Sequence, residues 1–180
     1  MSRKKRLILT GVLLAALVVM DQATKWVAIQ YLRESGQVYS YWGGLFRFQY
    51  AENTGAFLSL GAGWPDGIRA AVMIGVNSLI LAAVLAYLLA ATHLPCLPAL
   101  ALACIAGGGI GNLIDRLFRD GRVIDFMNMG VNLGSFSLRT GIFNVADVAI
   151  MAGLFLIIFN ELFALRGNAA ASKKQRAPEK

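Results

Sequence analysis

Four aspartates lie at or just beyond the ends of long apolar segments in this 180-residue chain: Asp21, Asp115, Asp125 and Asp147. An ionised side chain is costly inside a bilayer, so such residues normally face a protein interior or a water-filled cavity. If the apolar segments cross a membrane in alternating directions, all four carboxylates lie on the same side of it. Two carboxyl groups that lie close together do not both ionise easily. One can then take a proton from water while the other donates a proton, which is the chemistry of acid–base hydrolysis.

The composition is typical of a membrane protein. Apolar residues make up 57% of the chain, and the mean hydropathy of +0.61 is far above that of a soluble domain. The net charge of +7 comes largely from basic residues before the first apolar segment and after the last. This distribution predicts cytoplasmic termini and does not favour nucleic-acid binding. We expect one membrane-embedded domain over residues 1–166 and a disordered, basic, cytoplasmic tail over 167–180.

Cysteine and histidine usage gives no sign of a metal site. Cys96 and Cys104 would lie about 12 Å apart along a helix, which is too far for a disulfide between them. Neither has the spacing of a metal-binding motif, and His93 is expected in a short turn. We therefore predict neither a metal nor a cofactor.

Four apolar segments are long enough to cross a bilayer, since about 20 helical residues span the hydrocarbon core. They cover residues 7–29, 68–91, 99–118 and 142–165. Between the first two, residues 38–42 and 45–50 flank Gly43 and Gly44, and the aromatic residues at 46, 48 and 50 alternate with other residues. This pattern indicates a β-hairpin at the membrane surface. The sequence thus predicts an all-α integral membrane protein with four transmembrane helices. A small extracytoplasmic β-hairpin or sheet is expected between helices 1 and 2.

Polar residues from three of these helices are predicted to meet at one depth. Helical spacings of three and four place them on shared faces at the outer ends of the first, third and fourth segments: Asp21 and Lys25, then Asn112, Asp115 and Arg116, then Asn144 and Asp147. Ion pairing with a nearby cation is the structural interpretation for Asp21 with Lys25 and for Asp115 with Arg116.

Asp125 and Asp147 are the best candidates for catalysis, because they lack nearby cations in the sequence. The one basic residue within four positions of either is Arg122, three before Asp125.

At these residues the chain resembles the lipoprotein signal peptidase (signal peptidase II) family of bacteria, over nearly its whole length. The stretches that carry the resemblance, in order, are Asp21-Gln22-Ala23-Thr24-Lys25, Asn53-Thr54-Gly55-Ala56, Gly111-Asn112-Leu113-Ile114-Asp115-Arg116, Val123-Ile124-Asp125 and Phe143-Asn144-Val145-Ala146-Asp147. A single short motif would be weak evidence, whereas five in this order on a four-span topology are specific.

The resemblance implies an aspartic endopeptidase of the bacterial cytoplasmic membrane, with its site at the outer face. Its substrates would be prolipoproteins already modified with diacylglycerol, and globomycin, a cyclic peptide, would occupy the substrate site. By position, Asp125 and Asp147 match the family's catalytic pair. Asn53, Asn112, Arg116 and Asn144 match the polar residues around the substrate, while Asp21, Lys25 and Asp115 match structural positions.

Two other functions remain open from the residues alone. A Ser/Lys peptidase would use Lys25 as base and Ser59, Ser135 or Ser137 as nucleophile, although no motif favours any of these serines. A proton-coupled transporter would need its acids near the bilayer midplane with access from both sides. The acids here are predicted at one end of the helices, which favours the peptidase.

Overall fold

The computed structural model describes residues 2–55, 64–133 and 136–175. Its long helices are α1 (Arg3–Ala28), α2 (Asp66–Ala90), α3 (Cys96–Phe118) and α4 (Val145–Gln175), and a π-helix, Ile29–Arg33, continues α1. Among the described residues, these four helices are long and apolar enough to cross a membrane. The four predicted spans are therefore confirmed. Helix α4 enters the segment for which a disordered tail is expected, and the domain boundary at residue 166 stays a prediction.

Helix α3 is the centre of the bundle, because small residues on it let the other helices approach closely. A Cβ on Gly107 would lie 3.1 Å from the Leu17 side chain of α1, and a Cβ on Gly108 would collide with the carbonyl oxygen of Ala146 in α4. Asn77 of α2 donates a hydrogen bond to the Gly109 carbonyl oxygen (3.2 Å). Small residues at helix contacts in a membrane act in this way.

At the end of the bundle where α1 begins, the N-terminal basic segment connects α1 to the turn between α2 and α3. The Arg6 guanidinium is buried. It donates to the backbone oxygens of Leu94 (3.1 Å), Thr92 (3.3 Å) and Ala91. These carbonyls lie at and beyond the C-terminus of α2, where helix carbonyls lack intrahelical partners. Arg6 is therefore a structural residue as well as one of the predicted topology signals.

A four-stranded antiparallel sheet, in the order β1-β2-β3-β4, lies at the opposite end of the bundle from Arg6. Its strands are β1 (Tyr39–Tyr41), β2 (Phe46–Asn53), β3 (Val123–Leu133) and β4 (Phe136–Arg139). The predicted hairpin is confirmed as β1 and β2, joined through a short 3-10 turn in which Gly43 has φ +65° and Gly44 has φ +91°.

The sheet is larger than predicted, since two of its strands come from the connection between α3 and α4. The sequence predicts no conformation for residues 119–141, because this connection holds only a short apolar stretch around Val123 and Ile124 and a polar, glycine-containing remainder. In the structure β3 pairs with β2, with Ala51 opposite Asp125 and Asn53 opposite Val123. This pairing brings Asp125 next to the end of β2.

One face of the sheet is apolar and lies towards α1. Across the strands, Tyr39 pairs with Phe48 and Phe48 with Met127, so their side chains share that face. A cavity of about 510 Å³ separates this face from the C-terminal end of α1, and its lining is largely apolar and aromatic, with Val27, Tyr31 and Phe126 among its residues. The fold thus leaves an apolar space beside the strand that carries Asp125.

Candidate active site

The first turn of α4 fixes Asp147 through a reciprocal pair of hydrogen bonds. The Asn144 side-chain oxygen Oδ1 accepts from the Asp147 backbone N–H (2.9 Å), and Asp147 Oδ2 accepts from the Asn144 N–H (3.2 Å). This is a capping box, with Asn144 as N-cap and an acid three residues later. The carboxylate is therefore held at a helix N-terminus, where the helix dipole stabilises negative charge.

Asp125 is held by two asparagine side chains. Its Oδ1 accepts from Asn144 Nδ2 (2.6 Å), and its Oδ2 accepts from Asn53 Nδ2 (3.0 Å). The side chain is buried, with 2% of the residue exposed. Burial, followed by the nearby negative charge of Asp147, raises the pKa of Asp125 to about 6. A carboxyl group in this position keeps a proton at pH values where an ordinary aspartate has lost it.

Asn144 joins the two predicted catalytic residues, because its side chain binds Asp125 while its backbone binds Asp147. The same Nδ2 is 3.1 Å from Asn112 Oδ1, and Asn112 Nδ2 donates to Asp147 Oδ1 (2.9 Å). The structure thus brings Asp125 and Asp147 together from a strand and a helix, with three predicted supporting asparagines, Asn53, Asn112 and Asn144, around them.

A fully buried cation lies beneath this pair. Lys25 Nζ is 2.8 Å from Asp21 Oδ2, 2.9 Å from Asp115 Oδ2 and 3.0 Å from Asn112 Oδ1. None of the three charged side chains is exposed. Three short contacts match the three donors of an ammonium group. The predicted pairing of Asp21 with Lys25 is confirmed.

Both carboxylates of this cluster also hold the elements that carry the aspartate pair. Asp21 Oδ1 accepts from the Ala146 N–H (2.9 Å) in the first turn of α4. Asp115 Oδ2 accepts from the Ile124 N–H (3.0 Å), one residue before Asp125. The cluster therefore fixes α4 and β3 relative to α1 and α3.

The prediction that Asp115 forms an ion pair with Arg116 is wrong. Asp115 forms its ion pairs with Lys25 and, at 3.3 Å, with Arg119. Adjacent helical residues point in different directions, whereas residues four apart share a face. Arg116 Nη1 instead lies 3.5 Å from the Asn112 carbonyl oxygen, and its Nε is buried without a hydrogen-bond partner among the described residues. It lies within electrostatic range of Asp147 and Asp125.

Sequence reasoning missed two residues at the core of the site. Gln22 Nε2 is 3.2 Å from Asp21 Oδ2, 3.0 Å from the Gly111 carbonyl oxygen and 3.2 Å from Asp115 Oδ1. Gly111 follows Gly107 by four residues, a spacing that predicts helix packing, but a Cβ there would collide with the Asp21 carboxylate. The signal was their position inside the motifs, next to Asp21 and Asn112.

A polar cavity of about 250 Å³ beside the site was also missed. Within it, Glu52 accepts from Arg122 Nη1 (2.6 Å) and from the Tyr50 hydroxyl (2.9 Å). The bond from Arg122 is the main reason that the pKa of Glu52 lies below its usual value. Glu52 immediately precedes Asn53, so this cluster lies at the end of β2 that reaches Asp125.

The structure does not favour the Ser/Lys alternative. The Lys25 ammonium is fully buried and bound to two carboxylates and an amide oxygen, which leaves no lone pair to act as a base. Ser59 and Ser135 lie outside the described residues, as does Ala56 of the second motif. Within the described part of the chain, no group of three or more His, Cys, Asp or Glu side chains is arranged to hold a metal ion.

Comparison with known proteins identifies the family. The family model described as signal peptidase (SPase) II matches residues 13–163. The chain belongs to the signal peptidase II family. The lipoprotein signal peptidase of Borrelia hermsii is 33% identical over 162 residues, which cover 89% of this chain and 94% of that protein. That of Chlorobium phaeovibrioides is 34% identical over 157 residues, covering 84% and 89%.

Solved structures of a bacterial membrane enzyme share the fold. One, determined in meso at 2.3 Å resolution, superposes with a TM-score of 0.68 at 23% identity and covers 95% of this chain and 94% of its own. Another, at 1.9 Å, gives a TM-score of 0.69 at 22% identity, covering 85% and 92%. This signal peptidase II family member is thus a multi-pass membrane peptidase, and the transporter and Ser/Lys alternatives are not favoured.

Proposed function

We propose that this signal peptidase II family member is an aspartic endopeptidase that removes signal peptides from diacylglyceryl-modified prolipoproteins. Asp125 and Asp147 are the catalytic pair in this proposal. The main observation in its support is that Asn144 donates hydrogen bonds to both carboxyl groups, from its side chain to Asp125 and from its backbone to Asp147. The proton of the pair is assigned to Asp125, because burial and the charge of Asp147 raise the pKa of Asp125 to about 6.

Hydrolysis then proceeds by general acid–base catalysis. Asp147 takes a proton from a water molecule, and the water oxygen attacks the scissile carbonyl carbon. Asp125 donates its proton to the carbonyl oxygen, which gives a neutral tetrahedral diol. In the second step Asp147 returns its proton to the amide nitrogen while Asp125 recovers one from a hydroxyl group. The C–N bond breaks, and the lipid-bearing cysteine becomes the new N-terminus.

The position of the pair suits a lipid-anchored substrate. A substrate held in the bilayer by its lipid reaches the protein sideways, so a site at the helix ends meets the scissile bond at the membrane surface. The apolar cavity between the sheet and α1 offers contact for membrane lipid or for apolar parts of the substrate. Trp42, which is 79% exposed at the turn of the β1–β2 hairpin, is suited to the interface above the substrate. The same site would bind a globomycin-type inhibitor.

The proposed orientation follows from charge. Arg3, Lys4 and Lys5 precede the apolar part of α1, and basic residues are retained on the cytoplasmic side. Four spans then return the C-terminus to the cytoplasm, and the site lies at the outer face of the cytoplasmic membrane.

The test is cleavage of a diacylglyceryl-modified prolipoprotein by the purified protein and by Asp125→Asn and Asp147→Asn. We expect each variant to lose about a thousandfold or more in kcat while remaining folded, because removal of either acid abolishes the proton transfers. Asp66→Asn is the matched control, since the Asp66 side chain is 90% exposed and pairs only with Arg69 among the described residues. Near-normal cleavage by either active-site variant overturns the assignment. No cleavage by the wild type rejects the substrate class.

A further inference from the structure

The buried Lys25 ammonium does more than neutralise two carboxylates. Of its three contacts, two are to Asp21 and Asp115, and the third is to the amide oxygen Oδ1 of Asn112 at 3.0 Å. That third contact is directed at a residue that touches Asp147. Neutralising the two acids would not by itself require it.

An asparagine amide has one end that accepts hydrogen bonds and one end that donates them. Asn112 Oδ1 receives two donors, Lys25 Nζ and Asn144 Nδ2 (3.1 Å). Nδ2 is therefore left to face Asp147, and it donates to Asp147 Oδ1 at 2.9 Å. If the amide were turned over, its NH₂ would face the Lys25 ammonium and the Asn144 NH₂, and its oxygen would face Asp147 Oδ1. All three contacts would then be repulsive in a buried site, where unpaired polar groups are most costly.

We propose that Lys25 is a positioning residue for the reaction: it fixes the orientation of the Asn112 amide, so that Asn112 presents a donor rather than an acceptor to Asp147. The inference rests on the proposed function of Asp147. Lys25 itself touches no reacting atom, and its contact with Asn112 leads to Asp147 through that one side chain.

This role differs from a purely structural one in what it predicts for combined substitutions. Lys25→Met alone would leave Asp21 and Asp115 without their shared cation, and that variant is liable to unfold. Lys25→Met with Asp115→Asn removes one positive and one negative charge together. Asp21 then keeps its bonds from Gln22 and from the Ala146 N–H, and the amide oxygen introduced at position 115 can still accept from the Ile124 N–H. This pair of substitutions is therefore the variant to use.

A double-mutant cycle between that paired variant and Asn112→Leu tests the proposal. The measured quantities are kcat and KM for a diacylglyceryl-modified prolipoprotein, with folding checked by thermal unfolding. We expect the paired variant to lower kcat about 10- to 100-fold, the value of one hydrogen bond to a charged group, with KM nearly unchanged. In the Asn112→Leu background the same change should lower kcat less than threefold further, because the residue through which Lys25 acts is gone.

Gln22→Met is the matched control. Gln22 belongs to the same cluster and contacts Asp21 and Asp115, but it makes no contact with Asn112. Its effect on kcat should be the same in the wild-type and Asn112→Leu backgrounds.

The proposal is overturned if the combined variant loses as much kcat as the product of the two separate losses, from the paired variant and from Asn112→Leu. Lys25 would then act independently of Asn112. A KM increase that accounts for the loss also overturns it. Either result leaves the proposed function standing, provided the wild type cleaves the substrate and Asp147→Asn does not. Loss of wild-type cleavage, in contrast, rejects the proposed function itself.

Discussion

Gly111→Ala is the perturbation whose consequence follows most directly from the structure. A Cβ at this position would collide with Asp21 Oδ2 and would lie 3.4 Å from the Ala146 side chain. Asp21 is fully buried, and its carboxylate binds Lys25 at 2.8 Å and the Ala146 N–H at 2.9 Å. Either the carboxylate or α3 has to move by roughly 1 Å to restore van der Waals contact. Both bonds of Asp21 then lengthen beyond hydrogen-bonding distance.

The expected cost is the loss of a buried ion pair, about 3–5 kcal/mol when one partner is left uncompensated. A gain of about 1 kcal/mol offsets part of it, because alanine has a higher helix propensity than glycine. A net destabilisation of about 2–4 kcal/mol should appear as a clear fall in the unfolding temperature of the detergent-solubilised protein, followed by tryptophan fluorescence. Peptidase activity should fall as well, because the same movement shifts the first turn of α4 and with it Asp147.

Gly75→Ala is the matched control. It is the same substitution in the membrane span α2, and a Cβ there would meet no atom within 4 Å. This variant should be as stable as the wild type or slightly more so. If Gly111→Ala is equally stable and fully active, the close contact between Gly111 and Asp21 does not organise the site.

Three further predictions concern other parts of the molecule. Asp125→Asn should be at least as stable as the wild type near pH 8. Folding raises the pKa of Asp125 from 3.8 to about 6. Its contribution to the stability of the folded state is therefore fully present below pH 3.8 and is lost as the pH rises through about 6. In urea unfolding near pH 8, the free energy of unfolding of the variant should exceed that of the wild type by up to about 3 kcal/mol. A less stable variant at alkaline pH would contradict the raised pKa. Arg6→Met should lower the unfolding temperature, since three partly buried carbonyls lose a charged donor at about 2 kcal/mol or more in total, whereas Lys4→Met, at an exposed position, should leave it unchanged. Equal unfolding temperatures would show that Arg6 is only a topology signal. Trp42→Ala, alone and with Phe48→Ala, should raise KM with little effect on kcat, and unchanged kinetics would remove the hairpin from substrate binding.

The sequence was sufficient for the helices and for the identity of the polar residues. Hydropathy locates the four spans, because each has to bury about 20 residues in lipid, and the two glycines with alternating aromatics locate the β1–β2 hairpin. The helical spacing of Asp21 and Lys25 predicted their ion pair, which the structure contains. These features are local, so the chain itself specifies them.

The relations between elements could not be predicted in the same way. Asp125 reaches Asn144 because β3 pairs with β2 and Met127 of β3 bridges to Phe143, and nothing in the spacing of residues 119–141 indicates those pairings. Asp115 lies next to a cation in sequence but pairs with Lys25 from another helix. Gly111 looked like a helix-packing residue, and its contact with Asp21 depends on how α1 approaches α3. Contacts between distant segments are set by tertiary packing, which a single sequence does not display.

The pH dependence of kcat/KM for a diacylglyceryl-modified prolipoprotein tests most directly whether a protonated Asp125 works with Asp147. The pKa of Asp125 is raised to about 6, so its protonated fraction falls about tenfold for each pH unit above that value. The account predicts that kcat/KM falls with this slope from about pH 6 to pH 8. A rate that stays flat or rises over the same range, as a serine or lysine mechanism requires, would contradict it.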